Sequence, residues 1–382
     1  MKVCHVITRL IVGGAQENTI LTCAGLVRRG HEVTLVAGPE TGPEGSMWNE
    51  ARRSGAAAVC VDSLRRNPRP VMEWRCLREL TTLFRRERFD IVHTHSSKAG
   101  ILGRWAAHRA GVPVIVHTIH GMSFNRTQRA ATRWMYRVLE RRAGRVTTAF
   151  ISVADAMTRQ AVEAGVGPPE KFTTIYSGMD TAAYEPSAER RRAIRDEWGV
   201  RDDEIVVGTV ARLFRNKGYD EIVRAMPSAV GRCAGLRFVW VGDGPDRDRY
   251  VEELRQMGFS DRVRLTGLVR PEGIPALVAG FDILLHASRW EGLPRALVQG
   301  LLMEVPGVAF DNDGAPEVIR DGETGVLAPF GDVRALSDGI VRLVGDSELR
   351  RRMGSAGRRL CLERFDAGAM VDSIDALYAG LR

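Results

Sequence analysis

Two cations stand five positions apart in the stretch Val210-Ala211-Arg212-Leu213-Phe214-Arg215-Asn216-Lys217-Gly218. Arg212 and Lys217 follow an apolar run, and Gly218 opens a helical stretch. A pair so placed can grip a diphosphate through charge-assisted hydrogen bonds. A solvated surface loop has the same local pattern, but only four of the chain's 55 basic residues are lysines. Lys and Arg are not equivalent at a point-charge contact to phosphate, so a lysine kept in so Arg-rich a chain favours function. A second group is Glu291-Gly292-Leu293-Pro294. Backbone N–H groups there can meet sugar hydroxyls, and Glu291 can accept from them. Glu291 is equally well explained as a favourable negative charge near a helix N-terminus, with Pro294 in the first helical turn. Gln299 stands eight residues on, expected two helical turns along the same face.

Glycines and histidines supply the other candidates. Gly13-Gly14-Ala15-Gln16 follows the first apolar run and opens a helix. Glycine there lets backbone approach an anion at free helix N–H groups, although an ordinary strand-to-helix turn also uses it. The pattern is not G-x-G-x-x-G, which disfavours a dinucleotide site. Gly242-Asp243-Gly244-Pro245 also lacks the third glycine and is taken as a plain turn. His93, His95, His108, His117 and His120 are close in sequence, but no carboxylate or Cys stands at ligand spacing beside them, so no metal is expected. His93 and His117 fall inside apolar strands and are expected to be packed and hydrogen-bonded. His120-Gly121 lies just past a strand end and is expected to face a cleft.

These residues sit at the ends of strands. Apolar runs at 3–8, 32–37, 90–93, 113–118, 150–153 and 172–176 alternate with helical patterns. The rhythm restarts at 204–210 and continues through 236–241, 263–266, 282–286, 305–310 and 325–327. This is an α/β chain with two Rossmann-like parallel-sheet domains facing a cleft, since ligands in such sheets bind beyond the carboxyl ends of strands. The expected division is 1–180, a polar linker at 181–203 containing Pro186, and 204–364. An amphipathic helix over 365–382, with Phe365, Met370, Ile374, Leu377, Tyr378 and Leu381 on its apolar side, is expected to dock back on the first domain.

Composition narrows the function classes. The chain has 382 residues, 44% hydrophobic and 27% charged, which excludes disordered and disulfide-scaffold classes. No apolar run approaches the ~20 residues of a membrane span. The apolar start is broken by Arg9 and Gly13-Gly14 before a signal-peptide core forms, so a cytoplasmic location is expected. Six scattered cysteines without a C-x-x-C pair suggest reduced thiols. Net charge is +8 and uneven: residues 1–180 carry 26 Lys+Arg against 15 Asp+Glu, whereas 181–382 carry 29 against 32. A basic first half favours an anionic partner. Nucleic acid is disfavoured, because no aromatic interleaving or recognition motif accompanies the charge.

Taken together, the chain resembles glycosyltransferase family 4, retaining enzymes of the GT-B fold. The Arg212…Lys217-Gly218 and Glu291-Gly292-Leu293-Pro294 stretches carry most of the resemblance. Asp90-Ile91-Val92-His93-Thr94-His95, Thr118-Ile119-His120-Gly121 and Ser177-Gly178-Met179-Asp180 add to it. The resemblance implies transfer of a hexosyl group from a nucleotide-diphosphate sugar, the co-substrate, to an acceptor hydroxyl, in polysaccharide or lipid-linked glycan synthesis. It makes the first domain acceptor-binding and the second donor-binding. Arg212 and Lys217 match the pair that stabilises the diphosphate, and Glu291 matches the first Glu of the family's Glu-(seven residues)-Glu signature, which contacts the donor sugar. His120 matches the histidine near the sugar. Gly13 and Gly14 would approach the diphosphate from the other domain, while Gly292, Leu293 and Gln299 would line the donor. With two cations in place no metal or other cofactor is required. The chain departs from the family at Gln299, where Glu is usual, at Asp313, where a Gly-Gly turn is usual, and at Glu304 and Gly307. A sugar-nucleotide epimerase on the same architecture and a non-catalytic sugar-nucleotide-binding protein are the alternatives.

The acceptor side carries a further expectation. Residues 65–145 hold 18 Lys+Arg against five Asp+Glu. Arg126, Arg129, Arg133, Arg137 and Arg141 recur at helical spacing, with Trp134, Met135, Val138 and Leu139 expected on another face. Either this is a solvated helix or it rests on anionic lipid, which would place the protein peripherally on the inner face of the cell membrane.

Overall fold

The computed structural model describes residues 1–39, 42, 45–67 and 69–381. The chain divides into two compact units, Met1–Met179 with Ala367–Arg382, and Asp180–Asp366.

The first unit is a seven-stranded sheet of β1 (Lys2–Arg9), β2 (Glu32–Gly38), β3 (Ala57–Cys60), β4 (Ile91–His95), β5 (Val114–Ile119), β6 (Ala149–Ser152) and β7 (Phe172–Thr174). Its order is β3-β2-β1-β4-β5-β6-β7, all pairs parallel. Alternate side chains go to opposite faces. Val3, Ile7, Val33, Leu35 and Ile91 pack in one core with Cys23 and Leu26 of the helix Gly14–Arg28. Cys4, Val6, Val36 and Val92 pack in the other with the helices Pro70–Glu87 and Ser97–Ala110.

The terminal helix Ala367–Gly380 completes the first of these cores with Met370, Val371, Ile374 and Tyr378. A Cβ at Gly25 would stand 2.6 Å from a Val371 methyl, so glycine lets the two helices touch. The Ala367 N–H donates to the Met179 carbonyl (2.9 Å), joining the points where the chain leaves this unit and returns to it. The helix is shorter than the expected 365–382. Phe365 is fully buried in the second unit, following the helix Ser347–Arg364, and Arg382 lies outside the described residues.

The second unit is a six-stranded parallel sheet: β8 (Ile205–Val210), β9 (Leu236–Val241), β10 (Val263–Gly267), β11 (Ile283–His286), β12 (Gly307–Asp311) and β13 (Gly325–Pro329), ordered β10-β9-β8-β11-β12-β13. The polar stretch expected as a linker holds a helix, Ala188–Trp198, which belongs to this unit. Its Arg191 and Arg195 both pair with Asp282 at 2.6 and 2.9 Å, and Asp282 also accepts from the Val206 N–H (2.8 Å). No helix among the described residues is long and apolar enough to cross a membrane.

Candidate active site

In the second unit the site grows from the ends of β8 and β11. After β8 the chain passes Arg212 and makes a short 3-10 turn, Arg215–Lys217. Gly218 follows with φ +80°, and a Cβ there would stand 1.7 Å from the Ala287 carbonyl oxygen. Both the conformation and the close approach demand glycine. The Asn216 carbonyl accepts from the Arg289 N–H (2.9 Å) and the Ser288 hydroxyl (3.2 Å), which ties the two loops side by side.

This tie brings Lys217 Nζ to within 2.5 Å of Glu291 Oε1, with both side chains about four-fifths buried. His286 Nε2 lies 3.3 Å from the same oxygen, close enough for electrostatics but without an aligned hydrogen bond. Burial alone would raise the Glu291 carboxyl. The Lys217 ammonium and the His286 ring outweigh it and hold the carboxyl well below its ordinary range. The Glu291 N–H donates to Asp313 Oδ2 (2.8 Å). Asp313 has φ +50°, which accounts for the glycine usual at this position, and Asp tolerates that region better than most residues.

Glu291 is not on the helix that carries Gln299. That helix runs Arg295–Leu302, with Pro294 at its N-cap, so the expected shared face does not exist. Gln299 is buried within the helix, Leu293 is buried just before it, and the Gly292 carbonyl accepts from the Gly314 N–H (3.1 Å).

The Arg212 loop is shaped from behind by the glycine turn taken as plain. Cβ atoms at Gly242 and Gly244 would stand 2.2 and 2.4 Å from the carbonyl oxygens of Ala211 and Leu213. The Leu213 N–H donates to the Asp243 carbonyl (3.0 Å). The Arg212 guanidinium lies 4.8 Å from the Phe214 ring centroid. Sequence reasoning did not single out His286, and it named these glycines as a turn without their part in shaping the Arg212 loop. The available signal was glycine at the end of β9, beside β8 in the sheet.

In the first unit, Gly14 is the first residue of the helix Gly14–Arg28 and Gly13 is its N-cap in an extended conformation (φ 176°). A Cβ at Gly13 would meet only the flexible end of the Gln16 side chain. His120 follows β5 and lines a small pocket with Ser97, His117, Thr118, Met122 and Glu140. His93 and His117 are buried and hydrogen-bonded: His93 to Tyr378 (2.5 Å) and Thr118 (2.6 Å), His117 to Thr94 (2.9 Å). His5, an isolated histidine in β1, went unnoticed in the sequence. With His93 and His95 it forms a group whose ligand-capable atoms lie within 4.8 Å of one another.

Two family models account for most of this chain. One described as "Glycosyl transferase 4-like domain" matches residues 13–178, and one described as "Glycosyl transferases group 1" matches residues 190–360. The chain belongs to glycosyltransferase family 4. As a glycosyltransferase it moves a sugar from a nucleotide donor to an acceptor.

This glycosyltransferase is 28% identical over 381 residues to an Escherichia coli UDP-Gal:alpha-D-GlcNAc-diphosphoundecaprenol alpha-1,3-galactosyltransferase, covering 99% of this chain and 96% of that one. It is 29% identical over 389 residues to a GDP-mannose-dependent alpha-(1-6)-phosphatidylinositol monomannoside mannosyltransferase of Mycolicibacterium smegmatis, covering 97% and 96%. Among solved structures it is similar to Anabaena HepE in complex with UDP and glucose (TM-score 0.85, 22% identity, 100% of both chains). It is also similar to sucrose-phosphate synthase from Thermosynechococcus elongatus (TM-score 0.84, 19% identity, 100% and 99%). The glycosyltransferase therefore has the GT-B fold. The epimerase alternative finds no support in these relatives.

Proposed function

We propose that this family 4 glycosyltransferase is a retaining hexosyltransferase that uses a nucleoside-diphosphate sugar to extend a lipid-linked or cell-surface glycan precursor at the inner face of the cell membrane. The observation that carries the donor half of this reading is the Lys217–Glu291 contact, built by two strand-end loops that glycine alone allows to touch.

In the reaction the bond from the sugar's anomeric carbon to the diphosphate breaks, and a bond to the acceptor oxygen forms as that hydroxyl loses its proton. Negative charge develops on the departing diphosphate, where fixed cations contribute most. Lys217 and Arg212 supply them, so the reading requires no metal. The Lys217 ammonium has three donors and can keep Glu291 while binding phosphate. Glu291 stays ionised beside it. It acts as a hydrogen-bond acceptor for sugar hydroxyls and does not act as an acid. Nothing in the first unit's own packing requires glycine at position 13, which supports a role for Gly13 and Gly14 in admitting an anion. Gln299 replaces the usual Glu with a neutral partner for the ribose.

The membrane part of the reading rests on the surface of the first unit. The helix Ala130–Gly144 buries only Glu140, Ala143 and Gly144. Trp134 is 68% and Met135 42% exposed, so both share the outer surface with Arg133, whereas Val138 and Leu139 are half-buried. Arg126 and Arg129 precede the helix, and Arg141 is held by the Ala164 carbonyl (2.5 Å). Trp74, 59% exposed on the helix Pro70–Glu87 with Arg78 over its ring (4.6 Å), adds a second aromatic–basic pair. An exposed aromatic set among arginines suits an anionic lipid interface.

The test is incubation with UDP- and GDP-sugars, reading free nucleotide and sugar transfer to a polyprenyl-diphosphate-linked acceptor. Release of nucleotide with transfer is expected. Binding of nucleotide without any turnover or slow hydrolysis would overturn the enzymatic roles assigned to Arg212, Lys217 and Glu291.

A further inference from the structure

His5, His93, His95 and Thr118 come from three adjacent strands. His5 is the register partner of His93, and His95 of Thr118. The terminal helix adds Tyr378 to the same core as Val3, Ile7 and Ile91. Their polar atoms meet in sequence. His120 Nε2 faces His95 Nδ1 at 3.0 Å, and His95 Nε2 faces His5 Nδ1 at 2.9 Å. His5 Nε2 lies 3.5 Å from the Tyr378 hydroxyl, which is 2.5 Å from His93 Nδ1, and His93 Nε2 ends the series at Thr118 Oγ1, 2.6 Å away.

We infer that these groups form one hydrogen-bonded relay in which Tyr378, His93, His5 and His95 are positioning residues that couple the tautomer of His120 to their own. This rests on the reading of His120 as a site residue.

The argument is one of proton counting. Burial holds His5 down to about 3, and His93 and His95 well below their ordinary value, so these rings are neutral at pH 7. A neutral imidazole has one N–H and one bare nitrogen. Two bare nitrogens facing each other, or two N–H groups, would leave buried polar groups unsatisfied. Only two arrangements avoid this.

In the first, Thr118 donates to His93, His93 to Tyr378, Tyr378 to His5, His5 to His95, and His95 to His120. Every histidine then carries its proton on Nδ1. In the second each bond is reversed, and every histidine carries it on Nε2. The Tyr378 hydroxyl enforces the agreement, because it has one proton and must accept on one side when it donates on the other. All six nitrogens of His5, His93 and His95 are engaged in this way, which explains why three clustered histidines need not hold a metal. In a neutral His120, Nδ1 is a donor in the first arrangement and an acceptor in the second. Its hydrogen-bonding sense toward a substrate hydroxyl is therefore coupled, through His95 and His5, to the Tyr378 hydroxyl of the terminal helix.

The experiment is a long-range 1H–15N correlation on the full chain labelled with 15N-histidine, at pH 7.5, with assignments from single His→Gln variants. The four rings are expected to share one tautomer, or to show matching populations of both. Different tautomers at any two of them would overturn the relay, and this outcome does not depend on any activity. The second arm is Tyr378→Phe, which keeps the ring packing and removes the hydroxyl. The His93 tautomer should become independent of His5, His95 and His120. Where transfer is measurable, kcat should fall about tenfold while KM for the nucleotide sugar stays within about twofold. A variant with unchanged kcat and a common tautomer would refute the positioning role, and equal losses in kcat and thermal stability with the tautomers intact would assign Tyr378 to packing alone. Absence of transfer in the wild type counts against the proposed function and leaves the tautomer comparison decisive for the relay.

Discussion

Gly218→Ala is the sharpest probe of the donor half-site, because its effect can be worked from geometry. The added Cβ would stand 1.7 Å from the Ala287 carbonyl oxygen, and real Cβ atoms essentially never approach closer than 3.0 Å. The two loops must therefore part by at least about 1.3 Å. Lys217 directly precedes the substituted residue, and Glu291 is four residues beyond Ala287 on the opposing loop. Misplacement by about 1 Å typically costs on the order of a hundredfold in rate, so kcat/KM for sugar transfer should fall about 100-fold.

The cost in stability separates into parts. Left-handed strain contributes about 1 kcal/mol, a shift of roughly 2–4 °C for a unit of this size, and the clash adds to it. Gly199→Ala isolates the first part: φ is +66° and no heavy atom lies within 4 Å of its Cβ. It should lower the melting temperature by those few degrees and leave activity unchanged. Gly231→Ala, inside the helix Tyr219–Arg232 with open space around it, should be neutral or stabilising by up to about 1 kcal/mol. The assays are nucleotide release and thermal unfolding of the three variants. If Gly218→Ala keeps kcat/KM within about threefold of wild type while Gly199→Ala shows its expected loss, the loop tie does not position Lys217 and the site has been misread.

Arg212→Ala and Lys217→Ala should each lower transfer about a hundredfold to a thousandfold with the fold intact by circular dichroism; near-wild-type turnover in both would remove them from the mechanism. Glu291→Gln should cost more activity than Gln299→Ala, and Gln299→Glu should shift nucleotide affinity only modestly, on the order of 1 kcal/mol, measured by calorimetry. Because the folded-state Glu291 carboxyl is held below its unfolded value, its stabilising contribution is complete above the ordinary carboxyl range and is lost as pH falls through and below it. The stability gap between wild type and Glu291→Gln should thus narrow from pH 6 to pH 3, and a gap independent of pH would contradict the ionised pair. Replacing Arg129, Arg133 and Arg137 with Ser, or Trp134 and Met135 with Ser, should each reduce co-sedimentation with anionic vesicles, the arginine set more steeply in low salt; equal binding to neutral vesicles would point to a soluble acceptor.

Most strands were legible because strands covered on both faces read as continuous apolar runs. β3 was not, since Ala57–Cys60 is short, at the sheet edge and half exposed. The helix Ala188–Trp198 hid behind its charge: Arg191 and Arg195 serve inward, on Asp282, where composition suggests a solvated connector. Periodicity found the terminal helix but included Phe365, which is buried and belongs to the other unit. Helical spacing separated the arginines from Trp134 and Met135 but could not show that both sets are exposed, because the helix buries residues only in its last turns. Motif spacing brought out Arg212, Lys217 and Glu291. The carbonyl of Asn216 acts through backbone contacts that no side-chain pattern announces, and Gly242 and Gly244 were legible as a turn but not as the support of the Arg212 loop.

The return of the chain to its first unit has a consequence for biosynthesis. When residues 1–179 have left the ribosome, Cys23 and Leu26 still lack Met370, Val371, Ile374 and Tyr378, the partners that cover them. An entire second unit must be translated first, and at synthesis rates of about 5–20 residues per second that interval is on the order of ten seconds or more. For that time the nascent chain exposes an apolar flank that invites chaperones or neighbouring polysomes. Stop codons or bulky fusions near position 367 should accordingly harm the solubility of the earliest-made sheet, with the later-made one folding undisturbed.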